Sequence, residues 1–130
     1  MELKNWKVIP FEPGEESQLG YIDPKEGIIA AAGKASLEHE KAHIELGHTA
    51  LRRETTPEEE MEVYAYVLAK GRVTISEFLS TYLPTLDEEN MNILRPELSN
   101  ALSRLYRKGL ITKNEYLNTS RAIRSMKISR

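Results

Sequence analysis

All three histidines of the 130-residue chain fall in one ten-residue window, His39-Glu40-Lys41-Ala42-His43-Ile44-Glu45-Leu46-Gly47-His48. The window opens as H-E-x-x-H, a spacing that has chemical meaning only on a helix. There, residues four apart lie one above the other on the same face. His39 and His43 can then aim two imidazoles at one metal ion, with Glu40 one step round the helix beside the ion. In zinc hydrolases of this pattern that Glu is the general base for a metal-bound water. The surroundings favour a helix over about 37–53. Gly33 ends the preceding segment, Ser36 can cap, and no Pro or Gly interrupts 37–46. Leu46 and Ala50 continue the face of His39 and His43, so that face should look inward. Gly47 would cost this helix roughly 1 kcal/mol relative to Ala, and Arg52-Arg53 suits its C-terminal end. The bland alternative is a solvated helix face in a chain with 29% charged residues.

Composition narrows the chemistry. A length of 130 residues with 40% hydrophobic content allows one compact domain, or a small one with a helical appendage. With no cysteine, disulfides and thiolate-bound zinc are excluded, so a metal must be held by His, carboxylates and water. No apolar run has the length of a membrane span. The start, Met1-Glu2-Leu3-Lys4-Asn5-Trp6, lacks the apolar stretch of a signal peptide, so a cytoplasmic location is expected. Charge is uneven: residues 1–90 hold 9 Lys and Arg against 18 Asp and Glu, and residues 91–130 hold 9 against 2. A basic tail of this kind either meets an acidic partner such as nucleic acid or packs on the acidic front of its own chain.

Along the chain, Trp6–Phe11 reads as a short strand or arm, with Pro10 favouring a sheet edge. Residues 12–16 read as a loop. Gln18–Asp23 and Gly27–Ala32 read as two strands across the turn signal Asp23-Pro24-Lys25-Glu26-Gly27. Gly27–Ala32 is apolar throughout, so it should be buried on both sides or covered by the next helix. Thr56, Pro57 and three glutamates start a second helix that runs to about Lys70 and stops at Gly71. Residues 72–130 look wholly helical. Capping boxes stand at Thr74/Glu77 and Thr112/Glu115; Pro84 ends one helix, Asp87-Glu88-Glu89 starts a short segment, Pro96 opens the next helix, and Gly109 stops it.

The second helix offers three candidate acids for the metal, Glu59, Glu60 and Glu62. Glu60 shares a stripe with Val63, Tyr64 and Val67 and so heads an inward face. Glu59 lies a step away and Glu62 on a different face. A catalytic zinc usually takes three protein ligands and one water, so His39, His43 and Glu60 make a complete set. The plain reading of such acids is compensation of the helix dipole, which suits Glu58 and Glu59.

These segments resemble the ImmA/IrrE-type metallopeptidases. His39–His48 resembles that family's H-E-x-A-H-x-x-L-G-H. Glu60-Met61-Glu62-Val63-Tyr64-Ala65-Tyr66-Val67-Leu68 resembles its E-x-x-x-[FY]-A-x-x-L helix, whose first Glu is the third zinc ligand. Two positions depart from the pattern: Met61-Glu62 stands where the family often has Ala-Asn or Ala-Asp, and Ala69-Lys70-Gly71 where it often has Leu-Met-Pro. The likeness covers roughly residues 18–71.

The resemblance implies an α+β fold. It would have a zincin-like core at residues 1–71, with a short antiparallel or mixed sheet packed on the motif helix and the Glu-bearing helix. A helical extension at 72–130 would follow, basic at its end. It also implies a zinc metallopeptidase that cuts a protein substrate, typically a DNA-binding repressor whose cleavage releases transcription. Zn²⁺ would sit on His39, His43 and Glu60, and Glu40 would assist attack of the metal-bound water. A peptide substrate would lie along an exposed edge strand near Gly27–Ala32. His48 falls at the wrong spacing for a third His ligand and reads as an outer-sphere or surface residue. Tyr64 or Tyr66 could donate to the oxyanion, though a tyrosine in a buried helix is more often core. Two other readings stand beside this one: a nucleic-acid-binding or regulatory module using the basic 91–130 segment, and a metal kept for structure alone. The oligomeric state stays open.

Overall fold

The apolar run Ile28–Ala31 becomes the central strand, β3, of a three-stranded sheet. On one side β1 (Lys7–Pro10) pairs with it in parallel, Lys7 opposite Ile28. On the other side β2 (Gly20–Asp23) pairs antiparallel, Gly20 opposite Ala31. The structure is a computed structural model that describes residues 7–10, 20–23, 28–31, 33–48 and 56–128, divided into units at 1–55 and 56–130. The expected loop at 12–16, the turn residues 24–27, the outer ends of the expected strands and residues 49–53 of the expected motif helix lie outside the described residues.

In the first unit, helix α1 (Lys34–Glu45) lies against β3 and β2. Gly33, in extended backbone, is its N-cap, and Leu37 N–H closes the first turn on the Gly33 carbonyl at 2.8 Å. Ser36, expected as the cap, is instead buried inside the first turn. The helix also ends earlier than expected. Gly47 has φ +80°, a conformation that costs residues with a Cβ about 1–2 kcal/mol. There His48 N–H reaches back to the His43 carbonyl at 2.9 Å and Gly47 N–H to that of Ile44 at 3.0 Å, satisfying carbonyls the helix leaves open. Gly47 therefore terminates α1 rather than weakening its interior.

The second unit holds helices α2 (Pro57–Ala69), α3 (Ile75–Tyr82), α4 (Glu88–Arg107) and α5 (Lys113–Ser125), with a 3-10 turn at Leu83–Thr85. Three of them open with the same device. The Thr hydroxyl of Thr56, Thr74 or Thr112 accepts from the backbone of Glu59, Glu77 or Glu115, whose carboxylate takes the Thr backbone N–H in return. Each such cap is worth about 1 kcal/mol. Pro96 does not open a helix. Asp87 does, accepting from Asn90 N–H at 2.8 Å, and α4 runs on through Pro96. Pro96 is exposed and forgoes one helical hydrogen bond. The buried face Leu94, Leu98, Ala101, Leu102 and Leu105 extends across both sides of it and holds the helix together.

The expected α+β, zincin-like core is not the architecture of this chain. Among the described residues the helices run to 12, 13, 8, 20 and 13 residues, against three strands of 4 residues each. The apolar material follows the helices. Among the eleven largest fully buried side chains of the described residues, Ile29 and Ile44 belong to the first unit and the other nine to the second. The Glu-bearing helix α2 belongs to the second unit. Its buried Val63, Ala65, Val67 and Leu68 belong to a helix packed with α3, α4 and α5. The division into units falls ahead of α2, between Thr55 and Thr56. The sheet corrects a second expectation. β3 is paired on both sides, so the edges are β1 and β2, and no peptide can add as a strand along Ile28–Ala31.

Candidate metal centre

The inward stripe of α1 is polar. Ser36, His39 and His43 are 3–7% exposed, and His48, just past the helix end, is 7% exposed. Burying imidazoles costs free energy unless their nitrogens find partners. Here four of the six ring nitrogens pair with one another. The Nε2 atoms of His39 and His43 are 3.1 Å apart, and the Nδ1 atoms of His43 and His48 are 3.0 Å apart. In each pair one nitrogen carries the proton and donates, and the other accepts. The rings meet edge to face, with centroids at 4.8 Å for His39–His43 and 5.2 Å for His43–His48.

The His39–His43 geometry fits a shared ion. With zinc–nitrogen bonds of about 2.0–2.1 Å and tetrahedral angles, two ligand nitrogens stand about 3.3 Å apart. The two Nε2 atoms are already at nearly that separation, and their i,i+4 placement on one helix holds them there. Glu40 lies between them in sequence and is half-buried. On the outer side of the same helix, Lys41 pairs with Glu38 at 3.8 Å.

The three candidate acids of α2 have different surroundings within the second unit. Glu59 is the capping-box carboxylate, accepting from Thr56 N–H at 3.0 Å. Glu62 is buried and accepts from Arg104 Nε at 3.0 Å and Lys108 Nζ at 3.1 Å through the same oxygen. Burial pushes its carboxyl up, but hydrogen bonds and charge from Arg104 and Lys108 outweigh this and hold its pKa below the ordinary value. Both acids are thus engaged with other groups. Glu60 is half-buried in the first helical turn, where the helix dipole favours an anion.

Tyr64 is half-buried. Its ring packs against Phe78 and Tyr82 with centroids at 5.2 and 5.0 Å. Tyr66 lies under cations, Arg72 at 5.3 Å and Lys70 at 5.8 Å from its ring centre. The Glu62 cluster was invisible in the sequence, because its members are 42 and 46 positions apart and no local spacing joins them.

Comparison with family profiles, curated proteins and solved structures found no match to this chain. No helix among the described residues is long and apolar enough to cross a membrane.

Proposed function

We propose that the chain is a zinc-dependent peptidase. The observation that carries this reading is the pair of buried imidazoles on successive turns of α1, their Nε2 atoms 3.1 Å apart, with Glu40 next to His39 in the sequence. His39, His43 and Glu60 would hold the ion, a nitrogen and oxygen set that suits zinc in a chain without cysteine. Three protein ligands leave a position open, the hallmark of a catalytic rather than a structural site. When bound there, zinc supplies a Lewis acid that polarises a carbonyl and acidifies water. The Glu40 carboxylate accepts the proton of the attacking water and passes it to the leaving amine. The buried helix face keeps competing water from the imidazoles. Resemblance of His39–His48 and Glu60–Leu68 to the ImmA/IrrE-type metallopeptidases extends the proposal to a protein substrate, of the DNA-binding repressor class, and to a cytoplasmic setting.

The test is Glu40→Gln beside His39→Ala. The first should keep bound zinc and lose proteolysis, and the second should lose zinc. Cleavage retained by Glu40→Gln removes Glu40 from the role of base.

A second reading, a nucleic-acid-binding module, has one observation in its favour. Lys113, Leu117, Arg121 and Arg124 are exposed on α5 and, at 3.6 residues per turn, fall within an arc of about 80°. Other cations of the basic segment are engaged inside the unit: Arg104 and Lys108 on Glu62, and Arg95 on the carbonyls of Ile123 and Met126. Duplex binding by this face would weaken with salt, and removing one phosphate contact would flatten the log–log slope by about 0.9. No binding at low salt, or an unchanged slope in Arg121→Ala, refutes it.

A further inference from the structure

We propose that His48 is the positioning residue for His43, fixing which nitrogen of that ring is offered to the metal. This inference rests on the metal-site reading above.

Nδ1 and Nε2 lie on opposite sides of an imidazole, so a hydrogen bond at one sets both the direction and the tautomer of the other. His43 turns Nε2 toward His39 and Nδ1 toward His48 Nδ1, at 3.1 and 3.0 Å. For His43 Nε2 to present a lone pair, the ring proton must sit on Nδ1. There it donates to His48 Nδ1, and His48 then carries its own proton on Nε2. His48 is thereby assigned the neutral Nε2–H tautomer and a place outside the ligand set, because its facing nitrogen addresses the far side of the His43 ring.

The backbone delivers His48 to that place. Gly47 at φ +80° reverses the chain, and His48 N–H bonds the His43 carbonyl at 2.9 Å. The two residues are thus joined twice, by main chain and by ring. The same turn that ends α1 lays the third histidine on the second, and both side chains are buried, at 4% and 7% exposure. A ring held in this way loses little freedom when an ion binds, which is how partners behind a metal ligand raise affinity.

The experiment compares wild type, His48→Gln and His48→Leu by zinc competition against a chromophoric chelator. It is joined to ¹⁵N NMR of the histidine rings in the zinc-loaded wild type. His48→Leu fills the space but cannot accept, and should bind zinc 10–100-fold more weakly. His48→Gln retains an acceptor and should recover most of that loss. The His43 ring should show its proton on Nδ1. Equal affinity in His48→Leu and wild type overturns the assignment, as does equal weakening by Leu and Gln, which would mark a merely structural role. A proton on His43 Nε2 overturns it too. Tight zinc binding by wild type with any of these results leaves the metal-site reading standing and removes His48 alone. No zinc binding by wild type refutes both.

Discussion

Glu62→Gln separates the acid that builds the helical unit from the acid proposed to hold metal. Glu62 accepts two charge-assisted hydrogen bonds, from Arg104 and Lys108, on a side chain 9% exposed. Glutamine keeps the shape and an acceptor but turns both bonds neutral. Charge-assisted bonds are worth about 1.5–3 kcal/mol and neutral ones about 0.5–1.5, so the loss is on the order of 1–1.5 kcal/mol per bond. The Arg104 and Lys108 side chains are 23% and 54% exposed and can turn to water. Screening at such exposure roughly halves the loss, to about 1–1.5 kcal/mol in all. For a unit the size of 56–130 that is a fall of about 5–10 °C in Tm.

The effect has a pH signature. The folded pKa of Glu62 lies below its ordinary value of 4.5. Its stabilisation is therefore fully present above about pH 5 and is lost as pH falls through the folded pKa. Melts of helical circular dichroism should show the deficit of Glu62→Gln at about pH 7 and a deficit that shrinks as pH falls through the folded pKa of the wild-type carboxyl. Zinc content should not change. An unaltered Tm at neutral pH, or a deficit independent of pH, refutes the argument. Loss of zinc in Glu62→Gln would make Glu62 rather than Glu60 the candidate ligand.

Two further outcomes follow from the same geometry. Gly47→Ala meets no atom within 4 Å but must adopt φ +80°, so it should cost about 1–2 kcal/mol and weaken zinc binding through the displaced His48; a melt and a zinc titration check this. Leu98→Ala empties a fully buried position in α4 and should cost about 2–5 kcal/mol by denaturant titration, with zinc affinity of the folded protein unchanged.

Local chemistry was readable where a few adjacent residues decide the outcome. The Thr–x–x–Glu capping boxes, the glycine stops at Gly71 and Gly109, and the helical placement of His39 and His43 all come from contacts within five positions. What failed had its cause further along the chain or in competition between local signals. Spacing alone leaves Gly47 inside a longer helix, since a left-handed residue is not visible in it. Pro96 has the local signature of a helix start, but an exposed proline can be carried by an apolar face that continues on both sides. The α+β expectation failed because helix α2 is apolar on nearly every side. Periodicity then shows that it is buried but not against what, and its neighbours are α3, α4 and α5. The central place of β3 depends on strand pairings that its own apolar run does not specify.

The central claim is met most directly by zinc content and position in the wild type and in Glu60→Gln. The account predicts one zinc per wild-type chain, located by anomalous scattering on His39 Nε2, His43 Nε2 and a Glu60 carboxylate oxygen, with Glu60→Gln folded but unable to retain it. A folded wild type that takes up no zinc, or a Glu60→Gln variant that binds it as tightly as the parent, contradicts the account.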